Sequence, residues 1–471
     1  MASDKEKYIN VCFLGHVDSG KSTTIGHLCY KKGAIDKRTV EKLEEIAKDL
    51  GKSSFGFAFY CDNNKAERES GITIQVSMKV IETDKHKVNI LDCPGHRGFL
   101  KNMITGTAQA DVAVIIVPAA LGEFERAITE TGTLYEHIVL AHTLGVGKAI
   151  VAINKMDSIQ DPKEAEKRFI EISENLKNKM KKMYDVDTTP IIPISGFKGI
   201  NLTKTCEKFS WFKGWKPENS PNDAPIFSLE EAIDYYPTPV RDTKKPLRIP
   251  ITQVLEVKGI GKVFTGRVES GIATPGMKIL VLPADVQTEI KTLEIHKAAQ
   301  KAVEAGENCG IALKSGDLGK IKTGNVISEL NNSPCRKTYA AHATIIFIGK
   351  VKCVKQGYAP TMDIGATHVS SVFAKLCDIG TKKGKEYIVT TENPTEIAGT
   401  RPCARVIVIP SKPTVMESFN DFKFLGRFAL RDMGKTIGIG IIHMTYTEDE
   451  TKALIPEYFK PAKKAVAAKK K

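Results

Sequence analysis

Gly15–Ser22 reads GHVDSGKS, and this stretch decides the fold around it. It fits the pattern G-x-x-x-x-G-K-[ST], in which successive backbone N–H groups turn around a phosphate. Glycine lets the chain turn tightly and approach an anion closely. Lys21 adds a point charge for the β- and γ-phosphates, and the Ser22 hydroxyl can hold Mg2+. The flanks agree. Tyr8–Leu14 (YINVCFL) reads as a buried strand, and Lys21–Tyr30 reads as a helix whose N-terminus faces the anion. Strand, loop and helix in that order open a doubly wound α/β sheet. The candidate phosphate-binding residues are Gly15, His16, Val17, Asp18, Ser19, Gly20, Lys21, Ser22 and Thr23.

Four further strings follow in chain order. Gly71–Ile74 (GITI) places Thr73 where a hydroxyl can complete magnesium coordination while a γ-phosphate is present. Asp92–His96 (DCPGH) follows the strand Lys87–Leu91. Asp92 can hold the magnesium through a water, the Gly95 N–H can reach the γ-phosphate, and His96 sits where a water must be positioned for in-line attack. Asn154–Asp157 (NKMD) follows the apolar run Val146–Ile153, so it lies at a strand's carboxyl end. The Asp157 carboxylate can accept from N1–H and the 2-amino group of guanine, which adenine does not offer. Asn154 can tie this loop to the phosphate loop, and the Lys155 stem can cover one face of the base. Ser195, Gly196 and Phe197 follow the apolar strand Ile191–Ile194. Backbone N–H groups of Ser195 and Gly196 could meet the guanine carbonyl, with Phe197 stacked on the base.

Together these strings resemble the elongation factor 1-alpha family of translational GTPases. The resemblance is carried by GHVDSGKS, KAERESGITI (Lys65–Ile74), DCPGH, KNMITGT (Lys101–Thr107), NKMD and ISGF, and covers nearly the whole chain. GYAP (Gly357–Pro360) and LGRFALRDM (Leu425–Met433) lie outside the nucleotide-binding part and point to this family beyond GTPases in general. The resemblance implies that His96 orients the attacking water and that Val17 and Ile72 gate it until the ribosome triggers hydrolysis. Ser70, Gln75, Cys93 and Phe197 depart from residues usual in the family, and none of the departures removes a nucleotide ligand.

Charge and punctuation divide the chain. Of the 471 residues, 1–240 hold 32 Lys+Arg against 33 Asp+Glu, whereas the remainder holds 37 against 22. The positive excess therefore lies outside the nucleotide-binding part, which suggests a polyanionic partner for the C-terminal half. Strands alternate with helices to about Asp234, with helices expected at Arg97–Thr107, Thr131–Leu144 and Pro162–Met183. Tyr236–Pro246 reads as a linker; from Leu247 onward short β-rich runs are divided by glycine. The expected fold is an α/β P-loop GTPase domain with a mostly parallel sheet, followed by two small antiparallel β-barrels. The expected boundaries are 1–240, 241–332 and 333–456, with a basic disordered tail at 457–471.

Other classes are disfavoured. No signal peptide opens the chain, and its longest apolar run, Val112–Leu121, is short of the roughly 20 residues that a membrane helix needs. Ten cysteines form no C-x-x-C pair, which suits reduced thiols in the cytoplasm.

The resemblance implies further partners. The aminoacylated 3′ end of tRNA would rest on the first barrel at Glu294, His296 and Asn308, with Arg427 and Arg431 as backbone contacts in the second. Ile251–Leu255 (ITQVL) departs from the acid-and-aromatic pattern of relatives beside that pocket. GTP/GDP and Mg2+ would be the cofactors of a factor that is monomeric when free. The ribosome, an elongation factor 1-beta type exchange factor and actin filaments would be partners. Termination, ribosome-rescue and sulfate-activating GTPases share the scaffold and stand as alternatives.

Overall fold

A computed structural model describes residues 8–62, 64–129, 132–218, 223–296, 298–314, 316–383 and 386–459; of the tail expected at 457–471, residues 460–471 lie outside them, whereas its start belongs to a 3-10 helix, Pro456–Phe459. Six strands form the N-terminal sheet: β1 (Tyr8–Gly15), β2 (Ser77–Glu82), β3 (Lys87–Asp92), β4 (Val112–Pro118), β5 (Lys148–Asn154) and β6 (Ile191–Pro193). Their order is β2-β3-β1-β4-β5-β6, and only β2 runs antiparallel. Both faces are covered, which is why β4 is an unbroken buried run, VAVIIVP. Ile25 and Leu28 of helix Lys21–Lys31 and Ile233 of helix Leu229–Tyr235 pack on Val11, Phe13 and Ile90. On the other face, Leu134, Ile138, Ile172 and Leu176 pack on Ile115, Val117, Val151 and Ile153. Each such burial contributes roughly 1.5–3 kcal/mol.

Strand order reverses beside β1, since the chain leaves it towards β3 on one side and β4 on the other. A crevice opens there at the carboxyl ends of the strands, and GHVDSGKS lies in it. Local chemistry sets the helix starts. Ser228 accepts from Glu231 N while Glu231 reaches back to the Ser228 N–H, and Asp161 accepts from Lys163 N ahead of Pro162. All three expected helices are shorter than foreseen: the one expected at Thr131–Leu144 spans Thr133–Thr143, with residue 131 outside the described residues. Residues Arg97–Phe99 form a 3-10 turn before helix Leu100–Thr107, because the His96 ring accepts from Gly98 N at 3.0 Å. Helix Pro162–Met180 stops three residues early. Helices Lys37–Asp49 and Glu448–Leu454 are additions that the motif reading did not anticipate.

Two closed antiparallel barrels follow. Six strands between Arg248 and Glu329 close through pairing of Lys278–Leu282 with Val286–Ile295. Six more between Ala340 and Tyr446 close through pairing of Thr361–Ile364 with Thr367–Lys383. Closure pairs the strand edges internally. The barrels are joined by a buried fork: Arg248 Nε and Nη2 donate to the two Glu417 carboxylate oxygens at 2.7 and 2.8 Å. Leu282 and Val326 of the first barrel also belong to the apolar cluster of the second. Among the described residues no helix is long and apolar enough to cross a membrane.

Candidate functional site

The phosphate loop connects β1 to helix Lys21–Lys31. Gly20 caps that helix at φ +88, and a Cβ there would come within 2.4 Å of Asn154 Nδ2, so only glycine fits. Lys21 folds back on the loop, its Nζ donating to His16 O at 2.8 Å and Gly15 O at 3.2 Å. Burial pulls the Lys21 pKa below its usual value. A cavity of about 380 Å3 opens in front of the loop.

Residues distant in sequence converge on this cavity. Val17, Asp18, Gly20, Lys21, Ser22 and Thr23 line it, together with Ile72, Thr73, Gly95, His96, Asn154, Lys155, Asp157 and Phe197. The expected hydrolytic set of His96, Val17 and Ile72 is thus gathered on one wall system. Asn154 joins the two recognition loops: its Nδ2 donates to Ser19 O at 2.8 Å and its Oδ1 accepts from Gly196 N at 2.8 Å. Lys155 Nζ pairs with Glu123 at 2.8 Å, which lays its stem along the cavity rim. The Phe197 ring is more than half exposed, at 57 %, and open to a stacking partner.

Some expected ligands stand behind the lining. The His16 ring turns to Thr133 Oγ1, and burial lowers its pKa. One expectation is corrected by the backbone geometry. The Ser195 N–H donates to Ile200 O at 3.1 Å and the Gly196 N–H donates to Asn154 Oδ1. Both are engaged within the protein, so neither is free for a guanine carbonyl in this arrangement. His27 supports the loop instead, with Nδ1 2.9 Å from Gly196 O and its ring stacked on Phe57 at 4.2 Å.

The donor set suits a hard divalent cation. Ser22 Oγ and Thr73 Oγ1 are 3.1 Å apart. Both Asp92 carboxylate oxygens are buried without a hydrogen-bond partner, and burial pushes that carboxyl up to about 6. Asp62, unforeseen from the sequence, also lines the cavity; burial and the nearby Asp92 push it up to about 7. Neighbouring carboxylates and hydroxyls, with Lys21 as the nearby positive charge on Asp92, match the oxygen ligands that Mg2+ prefers. Glu67, likewise unforeseen, is the anchor of the Thr73 segment. It is buried and accepts from Ile74 N at 2.9 Å, Gln75 N at 3.0 Å and Asn64 N at 3.1 Å. The capping spacing Asn64 to Glu67 was its sequence signal.

A family profile for the elongation factor Tu GTP-binding domain matches residues 6–238, one for elongation factor Tu domain 2 matches 261–328, and one described as GTP-eEF1A C-terminal domain-like matches 340–443. The oocyte form of elongation factor 1-alpha from Xenopus laevis is 44 % identical over 441 residues, covering 93 % of this chain and 95 % of its own. The chain belongs to the elongation factor 1-alpha family. It is therefore a GTPase that binds GTP and GDP, of the translation-elongation type. Solved structures agree on the fold. The S. cerevisiae Ski7 GTPase-like domain bound to GDP and inorganic phosphate superimposes at TM-score 0.71 with 20 % identity, covering 93 % of this chain and 97 % of that one. Elongation factor SelB from Methanococcus maripaludis with a GTP analogue gives 0.64 with 18 % identity, covering 94 % and 81 %.

Beyond the nucleotide cavity, a cleft of about 640 Å3 opens between the GTPase unit and the first barrel. Glu294, His296 and Asn308 line it opposite Gln75, Met78 and Lys101. Asn308 is buried; its Nδ2 donates to Asn10 Oδ1 at 2.9 Å while its own Oδ1 has no partner. His296 Nε2 is 3.0 Å from Asn89 Oδ1. Arg427 and Arg431 lie elsewhere. Arg431 is forked onto the buried Asp363, and Arg427 lies against Gly145 of the GTPase unit.

Proposed function

We propose that the protein delivers aminoacyl-tRNA to the ribosome under control of GTP and Mg2+. The observation carrying this reading is the cleft in which Glu294, His296 and Asn308 face the GTPase unit. One of its walls is built from Gln75 and Met78, just after Thr73, and from Lys101 and Asn102, just after His96. A ligand there touches the segments that respond to the γ-phosphate. The unpartnered Asn308 Oδ1 is an acceptor suited to an α-ammonium group, and the Glu294 carboxylate is suited to a ribose hydroxyl.

In this mechanism Ser22, Thr73 and Asp92 would hold a Mg2+ ion, which would supply positive charge against the phosphates. Lys21 and the Gly95 N–H hold the γ-phosphate. His96 is exposed at the cavity mouth beside Val17 and Ile72, and it swings between them to orient water when the ribosome docks. Loss of phosphate frees Thr73 and Gly95, and the wall of the aminoacyl cleft moves with them. An exchange factor of the elongation factor 1-beta type then reloads GTP in the cytoplasm.

Protection of the tRNA ester tests the reading. Spontaneous deacylation of a charged tRNA should slow with protein and GTP, and not with GDP. Equal rates in both states would overturn delivery of charged tRNA.

A further inference from the structure

A third cleft, of about 580 Å3, lies where the GTPase unit, the linker after it and both barrels meet. It is at the opposite end of the sheet from the nucleotide. Lys148 begins β5 and lines this cleft; Asn154 ends β5 and lines the nucleotide cavity.

Carboxylates at the cleft are already neutralised. Asp111 is clamped by Arg241, whose Nη1 and Nη2 donate at 2.8 Å, and by Arg267 Nη2 at 2.6 Å. Asp242 pairs with Lys245 at 2.8 Å. Glu269 lies 3.9 Å from Arg267. Three cations on the wall are left over: Lys148, Lys423 and Arg427. Among the described residues, none of the three forms an ion pair, and they come from two separate structural units.

Arg427 is the most unusual of them. It is half-buried on strand Arg427–Asp432, and its guanidinium lies 4.9 Å from the Phe419 ring centre. It also lies directly on Gly145, where an added Cβ would come within 2.4 Å of Nη1. Gly145 has φ +101, so the turn favours glycine, and a side chain there would displace the guanidinium. The end of helix Thr133–Thr143 is close by and offers a partial negative charge. No hydrogen bond to its carbonyls forms among the described residues. A guanidinium withdrawn from water without a carboxylate is costly unless something pairs with it. Lys148 is held in a similar way, 5.5 Å from the Tyr236 ring centre. Ring contacts orient these cations but recover only about 0.5–2 kcal/mol each.

We propose that this cleft binds a small anion carrying two or more phosphate groups, held by Arg427, Lys423 and Lys148. The guanidinium fork matches phosphate oxygens, and the two ammonium groups add point charges from either side. The volume falls within the roughly 300–1,000 Å3 of small-molecule sites. A bound polyphosphate bridges the GTPase unit to the second barrel, so occupancy holds these two units in the present arrangement.

Isothermal titration with tripolyphosphate tests this. The full chain is first saturated with GDP in excess Mg2+, which fills the phosphate loop. Saturable one-to-one binding is expected, weakened at least tenfold in Arg427→Gln and several-fold in Lys148→Gln and Lys423→Gln. The two lysines are exposed, so their variants report on the site even if Arg427→Gln unfolds. GDP affinity should not change in any of them. No saturable binding at millimolar tripolyphosphate overturns the proposal. So does binding that the two lysine variants leave intact, or binding that GDP displaces, or capture of tRNA alone through these residues.

Discussion

Two buried aspartates on one sheet have opposite fates. Asp92 ends β3 beside the phosphate loop, and its carboxylate oxygens have no hydrogen-bond partner. Burial pushes it up to about 6. Asp111 sits just before β4 at the other end, its side chain 6 % exposed, and receives Arg241, Arg267 and the Asn10 N–H. Burial opposes its charge, but the two guanidinium groups prevail and hold it down at about 2. A buried carboxylate without hydrogen-bond partners costs stability, so it marks a place where a ligand completes the site. A saturated one marks structure. Asp92 is thus prepared for a cation, whereas Asp111 fastens the first barrel and linker to the GTPase unit.

Exchanging each for its amide should separate the two roles. Asp111→Asn strands two guanidinium groups and is expected to cost about 3–5 kcal/mol in thermal or denaturant unfolding, with GDP affinity of the folded fraction unchanged. Asp92→Asn should do the reverse. Nucleotide affinity measured with Mg2+ should fall about 100-fold, while the nucleotide-free protein unfolds no earlier than the parent. Equal loss of stability in both variants would break the contrast.

The pH dependence sharpens it. Asp111 has a folded pKa below its unfolded value, so its contribution is complete above about pH 4 and disappears as pH falls through about 2. Glu269 is shifted the other way, raised by burial to about 7. Its neutral form is favoured in the fold, so stability decreases as pH rises from about 4.5 to 7 and then levels. Glu269→Gln should flatten unfolding curves across that window and stabilise the protein by about 1–2 kcal/mol at pH 8. A retained slope would assign it to another group.

The smallest effect is expected where the second barrel touches the helix after DCPGH. Thr105 Oγ1 lies 3.2 Å from His368 Nε2, and His368 Nδ1 donates to Asp363 at 2.6 Å. Thr105→Val should cost about 1 kcal/mol in unfolding. A larger loss would make this contact a main fastening between the units.

Much of the nucleotide cavity was legible because its residues come in short strings of set spacing at strand ends. GHVDSGKS, DCPGH and NKMD each follow a buried apolar run, and a parallel sheet brings all such ends to one crevice. Asp62 escaped because its role depends on burial, which no local pattern reports, whereas Glu67 was signalled only by its capping spacing from Asn64. The N–H groups of Ser195 and Gly196 take internal partners in this arrangement for a related reason. Backbone donors pair with whatever acceptor folding brings near, here Ile200 O and the Asn154 side chain.

By itself the sequence determined the α/β unit, the two β-rich units after it, the guanine-specific strings and the position of the positive excess. These follow from local spacing, periodicity and composition. Only the tertiary structure decided which charges are spent. Arg431 is forked onto Asp363 within its own barrel, and Arg427 is pressed on Gly145 of another unit. Both arginines belong to one nine-residue string, LGRFALRDM. Their partners lie 68 and 282 positions away, and only the packing of barrel on sheet brings such groups together.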